Sequence, residues 1–172
     1  MNKARKLILL VTLPTALLLV AAAMLYYVKK TGPYYLPDIT LENFEGQSFA
    51  LRSLHGKPAL VVFWASTCSI CMKELPQLIE LYNQFSPQGF EIVGIVIYYN
   101  EPPEAQAVVQ NKGIPYRILL DQKKLATHAF GNVHLTPTTF LVAPNGRIVY
   151  RHQGVTDFSL IREKLQKYLA EM

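Results

Sequence analysis

An uninterrupted apolar run, Leu60-Val61-Val62-Phe63-Trp64-Ala65, leads within a few residues to Cys68 and Cys71, the only cysteines in the chain. A stripe of apolar residues at helical spacing follows: Leu75, Leu78, Ile79, Tyr82 and Phe85, interrupted by Pro76. A short apolar run without polar alternation reads as a strand buried on both faces. The spacing after Cys71 reads as a helix, and a proline at the depth of Pro76 should kink it. The Cys-X-X-Cys pair therefore sits at a strand-to-helix junction, where it reads as a thiol–disulfide exchange site rather than a structural staple. A bridge across so short a loop adds little stability, because loop-closure stabilisation grows with loop length. If the disulfide forms, it is suited to being made and broken.

The rest of the chain supplies the frame for such a junction. Ile39-Thr40-Leu41 and Phe49-Ala50-Leu51 flank Asn43-Phe44-Glu45-Gly46-Gln47 and read as a hairpin. Glu91 to Tyr98 is an Ile/Val-rich strand, Glu101-Pro102-Pro103 opens a helix that ends near Lys112-Gly113, and Arg117 to Leu120 is a short strand. Lys123 to Phe130 reads as a short helix. Thr138–Val142 and Arg147–Tyr150 read as strands joined at Asn145-Gly146, a strong hairpin-turn signal. Phe158, Ile161, Leu165, Tyr168 and Leu169 mark a last helix, with Asp157 available as its N-cap. Alternating strands and helices closed by a hairpin and a helix imply an α/β domain with a mixed sheet and helices on both faces.

The amino-terminal region is of a different kind. Leu7 to Val28 is a stretch of 22 residues without a charge, long enough to cross a bilayer core as one helix. Lys3, Arg5 and Lys6 precede it, and Lys29 and Lys30 follow. The positive-inside bias then places Met1 in the cytoplasm and everything after Lys30 on the far side of the inner membrane. The competing reading is a cleaved signal peptide, with Leu7 to Val20 as its apolar core and Ala21-Ala22-Ala23 as small residues for a peptidase. Retention is favoured because the apolar stretch continues through Val28, with Tyr26 and Tyr27 suited to the headgroup zone. The expected division is residues 1–30 as a signal anchor, 31–37 as a linker and 38–172 as one folded domain. The whole net charge of +5 lies in residues 1–30, and the remainder carries twelve charges of each sign. No basic footprint for nucleic acid is left outside the anchor.

The segment Phe63-Trp64-Ala65-Ser66-Thr67-Cys68-Ser69-Ile70-Cys71, with Pro76 after it and Thr136-Pro137-Thr138-Thr139-Phe140 downstream, resembles the thioredoxin superfamily. The likeness is greatest to the membrane-anchored TlpA/ResA-type thiol–disulfide oxidoreductases, and it covers roughly residues 37–170. It includes the leading hairpin, the Gly56-Lys57-Pro58 approach to the first core strand, and a central helix–strand insertion at about 103–120. The resemblance implies a thioredoxin fold, one transmembrane helix ahead of it, Pro137 in the cis form facing the cysteines, and Trp64 packed beneath them. Two positions depart from the thioredoxin pattern. Val62 stands where thioredoxin has a buried aspartate, and Thr67 where the family usually has tryptophan. ResA-like members carry a glutamate three residues after the second cysteine, and Glu74 occupies that place.

Chemistry assigns roles within this set. A thiolate is the nucleophile in exchange, and a helix N-terminus favours it. Cys68 is therefore expected to attack a substrate disulfide and Cys71 to resolve the mixed disulfide. Glu74 lies one turn on from Cys71 and is expected to accept its proton, directly or through water; the alternative is a solvated glutamate in the first turn. Pro137 and the backbone of Thr136 are expected to hold the substrate chain, with Trp64 as core support. No cofactor is implied. His55, His128, His134 and His152 lack tight ligand spacing, which leaves a copper-binding module as a minor alternative. A peroxidase lacks its threonine, since Ala65 holds that position. The expected activity is reduction of disulfides in extracytoplasmic proteins, apocytochrome c among them by family analogy, with a membrane thiol protein as electron donor. An oxidase or isomerase is the enzymatic rival.

Overall fold

The computed structural model describes residues 17–24 and 35–172. Residues 17–24 are helical with exposed side chains. The rest of the expected anchor, Leu7 to Val28, lies outside the described residues, as does most of the expected linker. Among the described residues no helix is long and apolar enough to cross a membrane. The described residues from Tyr35 onward form one compact unit. Leu36 already belongs to it: the side chain is buried and the N–H donates to the Gly146 carbonyl at 2.8 Å.

The organising element is the strand Ala59–Trp64 (β3), all six residues of which are buried. Side chains alternate across a strand, so the two faces of β3 seed two separate cores. Ala59, Val61 and Phe63 join one, and Leu60, Val62 and Trp64 join the other. Around β3 a seven-stranded mixed sheet forms in the order β2-β1-β5-β4-β3-β6-β7. Its other strands are Thr40–Glu42 (β1), Ser48–Ala50 (β2), Glu91–Val96 (β4), Arg117–Leu120 (β5), Thr138–Val142 (β6) and Ile148–Gln153 (β7). β4 runs parallel to β3 with Val62 opposite Gly94, and β6 runs antiparallel with Phe63 opposite Thr138. The parallel β3–β4–β5 unit buries both faces, as crossover connections require.

Helices Ser69–Phe85 (α1), Pro102–Lys112 (α2) and Phe158–Ala170 (α4) supply apolar residues to the core that holds Trp64. The short helix Leu125–Ala129 (α3), together with the β1–β2 hairpin and the turn of 3₁₀ helix after it, covers the opposite face. Helices thus lie on both faces of a mixed sheet, with a leading hairpin and the α2–β5 unit inserted between β4 and α3. These are the features the thioredoxin resemblance implied.

Boundaries differ from the sequence reading where local hydrogen bonding intervenes. β4 stops at Val96 rather than Tyr98, because the chain turns there: Asn100 N–H donates to the Ile97 carbonyl at 2.9 Å. α3 starts at Leu125 because Lys124 adopts a positive φ of 57°. The buried Asp121 carboxylate then accepts from Ala126 N, Thr127 N and Thr127 Oγ1 at 2.6–2.8 Å, satisfying orphan donors at the helix start. α1 begins at Ser69, earlier than the apolar stripe suggested, and runs on through Pro76. The expected Asp157 cap is present and accepts from Leu160 N at 3.0 Å. Hydrogen bonds from the Ser159 hydroxyl and the Leu160 N–H hold its carboxyl below the usual value.

Three phenylalanines lock the core on the α3 face. Phe130 lies 5.4 Å from Phe63 and 4.9 Å from Phe140, centroid to centroid, and all three are fully buried. Edge-on and tilted aromatic contacts of this kind add to simple burial. Phe130→Ala should destabilise the domain by about 3–5 kcal/mol, read as a lower urea midpoint with an unchanged slope.

Candidate active site

β3 ends at Trp64 and the chain reaches Cys68, the N-cap of α1. Cys68 keeps an extended backbone (φ −82°, ψ 104°), and its sulfur accepts a hydrogen bond from Cys71 N at 3.1 Å. The sulfur thus does what a Ser or Asp cap does elsewhere, satisfying one of the free N–H groups of the first turn. The same donor and the positive end of the helix dipole stabilise an anion at this sulfur when the pair is reduced. The two cysteines are joined in a disulfide with Cα atoms 5.2 Å apart. They are unequal: Cys68 is half-buried, whereas Cys71 is only 4% exposed. An incoming disulfide can reach the first and not the second.

The loop before Cys68 is tied down from below. Ser66 N–H donates to Asn100 Oδ1 at 2.5 Å, and Asn100 itself is buried. Asn100 Nδ2 donates to the Glu101 carbonyl at 3.1 Å and lies 3.4 Å from Glu104 Oε2, which also accepts from Ser66 Oγ. The turn after β4 thereby holds the turn after β3, although the two are adjacent only through the parallel pairing. Tyr99, exposed on the same turn, bonds through its hydroxyl to Thr136 Oγ1 at 3.2 Å.

Glu74 is not a solvated glutamate. It is 5% exposed, and its carboxylate accepts from Thr156 N at 2.6 Å and from Thr156 Oγ1 at 3.2 Å. Thr156 Oγ1 lies 3.0 Å from Thr139 Oγ1, so a buried hydroxyl pair backs the carboxylate. Buried charge needs such partners. Each carboxylate oxygen retains a free lone pair, and Glu74 shares a small pocket with Cys71, Trp64 and Pro137.

The Thr136–Pro137 bond is cis, as the resemblance implied, and Pro137 is buried at the start of β6. The Pro137 carbonyl accepts from Gly154 N at 2.9 Å, which ties this loop to the end of β7. Trp64 packs in the core that includes Cys71, and Cys68 touches both cores. Cys68, Cys71, Glu74, Trp64, Thr136 and Pro137 therefore gather at one end of the sheet. Lys73 and the four histidines are exposed. Among the described residues no three His, Cys, Asp or Glu side chains form a metal-binding group.

Four residues of the site escape sequence reasoning. Thr156 is 82 positions from Glu74, and no local pattern links them. Asn100 reads as an ordinary turn residue, and Tyr116 as the lead-in to a strand. Gly94 carries a detectable signal, since a glycine inside a strand pattern often marks a close approach. A Cβ there would lie 2.6 Å from Ile118 Cδ1 and 3.2 Å from Trp64 Nε1.

Comparison with known proteins follows the same lines. The sequence pattern of the Redoxin family matches residues 30–165. The thiol-disulfide oxidoreductase ResA of Halalkalibacterium halodurans is 33% identical over 130 residues, 75% of this chain and 72% of the relative. ResA of Bacillus subtilis is 31% identical over 131 residues, 74% of this chain and 70% of the relative. Among solved structures, the thioredoxin domain of a thiol-disulfide oxidoreductase from Bacteroides vulgatus superposes with a TM-score of 0.67 at 30% identity, covering 77% of this chain and 96% of that one. With the half-exposed Cys68 capping α1 and its partner buried one turn behind, the chain belongs to the Redoxin family, as a ResA-like thiol–disulfide oxidoreductase of the thioredoxin superfamily.

Proposed function

We propose that this protein is a membrane-tethered reductase that opens disulfides in selected extracytoplasmic proteins, apocytochrome c among them. The observation that carries the reading is the inequality of the two sulfurs, one accessible at a helix N-terminus and one buried beside a carboxylate. Cys68 thiolate attacks a substrate disulfide, and one substrate sulfur leaves with the electron pair of the broken bond. Cys71 then loses its proton, attacks Cys68, and releases the second substrate sulfur as a thiolate. Glu74 takes up the Cys71 proton. Pro137 has no N–H to compete with a substrate chain, and the Thr136 backbone lies beside it for pairing.

The uncharged stretch Leu7–Val28 and its basic flanks support tethering with residues 31–172 outside the cytoplasm. An exported compartment favours disulfides, so a reductase working there needs a membrane thiol protein to restore its dithiol. Tethering keeps the domain near that donor.

The direction of electron flow rests on the reduction potential of the Cys68–Cys71 pair. A value near that of thioredoxin, about −270 mV, is expected; one near the strong oxidant DsbA, about −120 mV, would reverse the direction. Cys71→Ala should leave mixed disulfides stranded on Cys68 in cells. Cytochrome precursors among the trapped proteins would bear out the haem-maturation role, and a broad set of secreted proteins would replace it with a general one. Glu74→Gln keeps the size of the side chain and an oxygen for Thr156 N. It should slow the Cys71 step about 10²-fold near neutral pH and leave a rate that climbs with pH as hydroxide takes over. An unchanged pH profile in stopped-flow release would reject Glu74 as proton acceptor.

A further inference from the structure

The turn after β4 reaches further across the site than strand pairing alone brings it. β4 and β6 flank β3 on opposite edges, and strands two places apart in a sheet lie about 10 Å from one another. The Tyr99 hydroxyl nevertheless lies 3.2 Å from Thr136 Oγ1. That contact closes across the carboxyl end of β3, where residues 65–68 leave the strand. The next residue, Asn100, holds the Ser66 N–H. Two consecutive residues of one turn therefore hold the proline loop and the cysteine loop.

Tyr99 is 47% exposed and still fixed at both ends. Its ring meets the Tyr98 ring edge-on with centroids 5.3 Å apart, and the Lys124 ammonium sits 4.3 Å from the Tyr98 centroid. Its hydroxyl is bonded to Thr136. A tyrosine held in this way has little rotamer freedom left to lose when a group packs against its ring. Thr136 is fixed through its side chain, and among the described residues its N–H and carbonyl bond to no other backbone group. Two more exposed apolar side chains stand close by in the chain: Ile70, two residues after Cys68, and Leu135, two before Pro137.

We propose that Tyr99 is a positioning and selectivity residue for the exchange reaction: its hydroxyl sets Thr136 for a substrate chain, and its ring receives an apolar or aromatic residue next to the substrate cysteine. This rests on the reading of the Thr136 backbone as the edge that pairs with substrate. A chain laid along that edge carries the side chain beside its cysteine toward the Tyr99 ring, where an apolar group leaves water and a charged one gains nothing. The bond chemistry at Cys68 is unaltered, so the selectivity belongs to capture and not to release by Cys71.

Full-length protein carrying Cys71→Ala accumulates the mixed disulfide on Cys68, so stopped flow reads capture directly. The probes are two short peptide disulfides that differ only in Phe or Ser beside the cysteine. Their rates are taken relative to hydroxyethyl disulfide, which has no peptide backbone to pair, so a general loss of Cys68 reactivity cancels. The Phe peptide should be preferred about tenfold, and Tyr99→Ala should erase most of that preference. Tyr99→Phe keeps the ring and should keep the preference while slowing both peptides about fivefold. Thr136→Val removes the other end of the bond and should give the same loss, with the double variant no slower than either single one. An undiminished preference in Tyr99→Ala overturns the proposal, and so do losses that add in the double variant. Capture indifferent to N-methylation of the peptide bond beside the cysteine removes the Thr136 pairing and the proposal with it. Capture sensitive to N-methylation but untouched by Tyr99→Ala leaves that pairing standing and rejects Tyr99 alone.

Discussion

The structure depends on the burial of β3 from both sides. Its six apolar residues leave no face for water, so the strand must lie central in the sheet with a helical layer over the Trp64 face. A parallel neighbour on one side and an antiparallel one on the other then bring three loops to its carboxyl end. Those loops carry Cys68, Asn100 and Pro137. The chemistry is placed by the core rather than by contacts among the reactive groups.

From that placement the difference between the sulfurs follows. Cys68 ends the loop and begins the helix, so it faces free N–H groups and stays reachable. Cys71 is one turn further along, on the helix face that meets Trp64 and the sheet, and is therefore buried. A single helix turn makes two identical side chains unequal, one reachable from solvent and one held back from it. In the proposed cycle the second thiol ionises in an apolar surrounding, where charge is disfavoured, and a buried carboxylate lines the same pocket. The strand position Val62, an aspartate in thioredoxin, is here apolar. The buried carboxylate of this site stands on the helix instead.

Glu74 in turn is held by groups that belong to neither β3 nor α1. Thr156 lies in the turn between β7 and α4, and Thr139 lies in β6 next to β3. The same turn is fastened to the proline loop through Gly154 and the Pro137 carbonyl. Proline loop, carboxylate and the turn that leads into the terminal helix are thus mechanically joined. The Ser66–Asn100–Glu104 network does the same on the other flank. The reactive pair sits between two braces made largely of backbone donors and short polar side chains.

Much of this was legible in residue order. A buried strand, the Cys-X-X-Cys spacing, the helical stripe after it and the terminal Asn145-Gly146 hairpin each have a local physical signature, and all appear in the structure. The site members Cys68, Cys71 and Glu74 recur every three residues along the first two turns of one helix, so their placement on one side of it follows from helical geometry alone. Pro137 and Trp64 were brought in by family resemblance, since no local pattern shows that residues so far apart meet. What only the tertiary structure decided was the environment of each group. The burial of Glu74 against Thr156, the clamp on Ser66 from Asn100, and the bond from Tyr99 to Thr136 all depend on long-range packing. Residue order specifies local hydrogen bonding and periodicity, which act over a few positions. Burial and polar satisfaction depend on which distant segments close over a site, and that is settled only when the sheet is assembled.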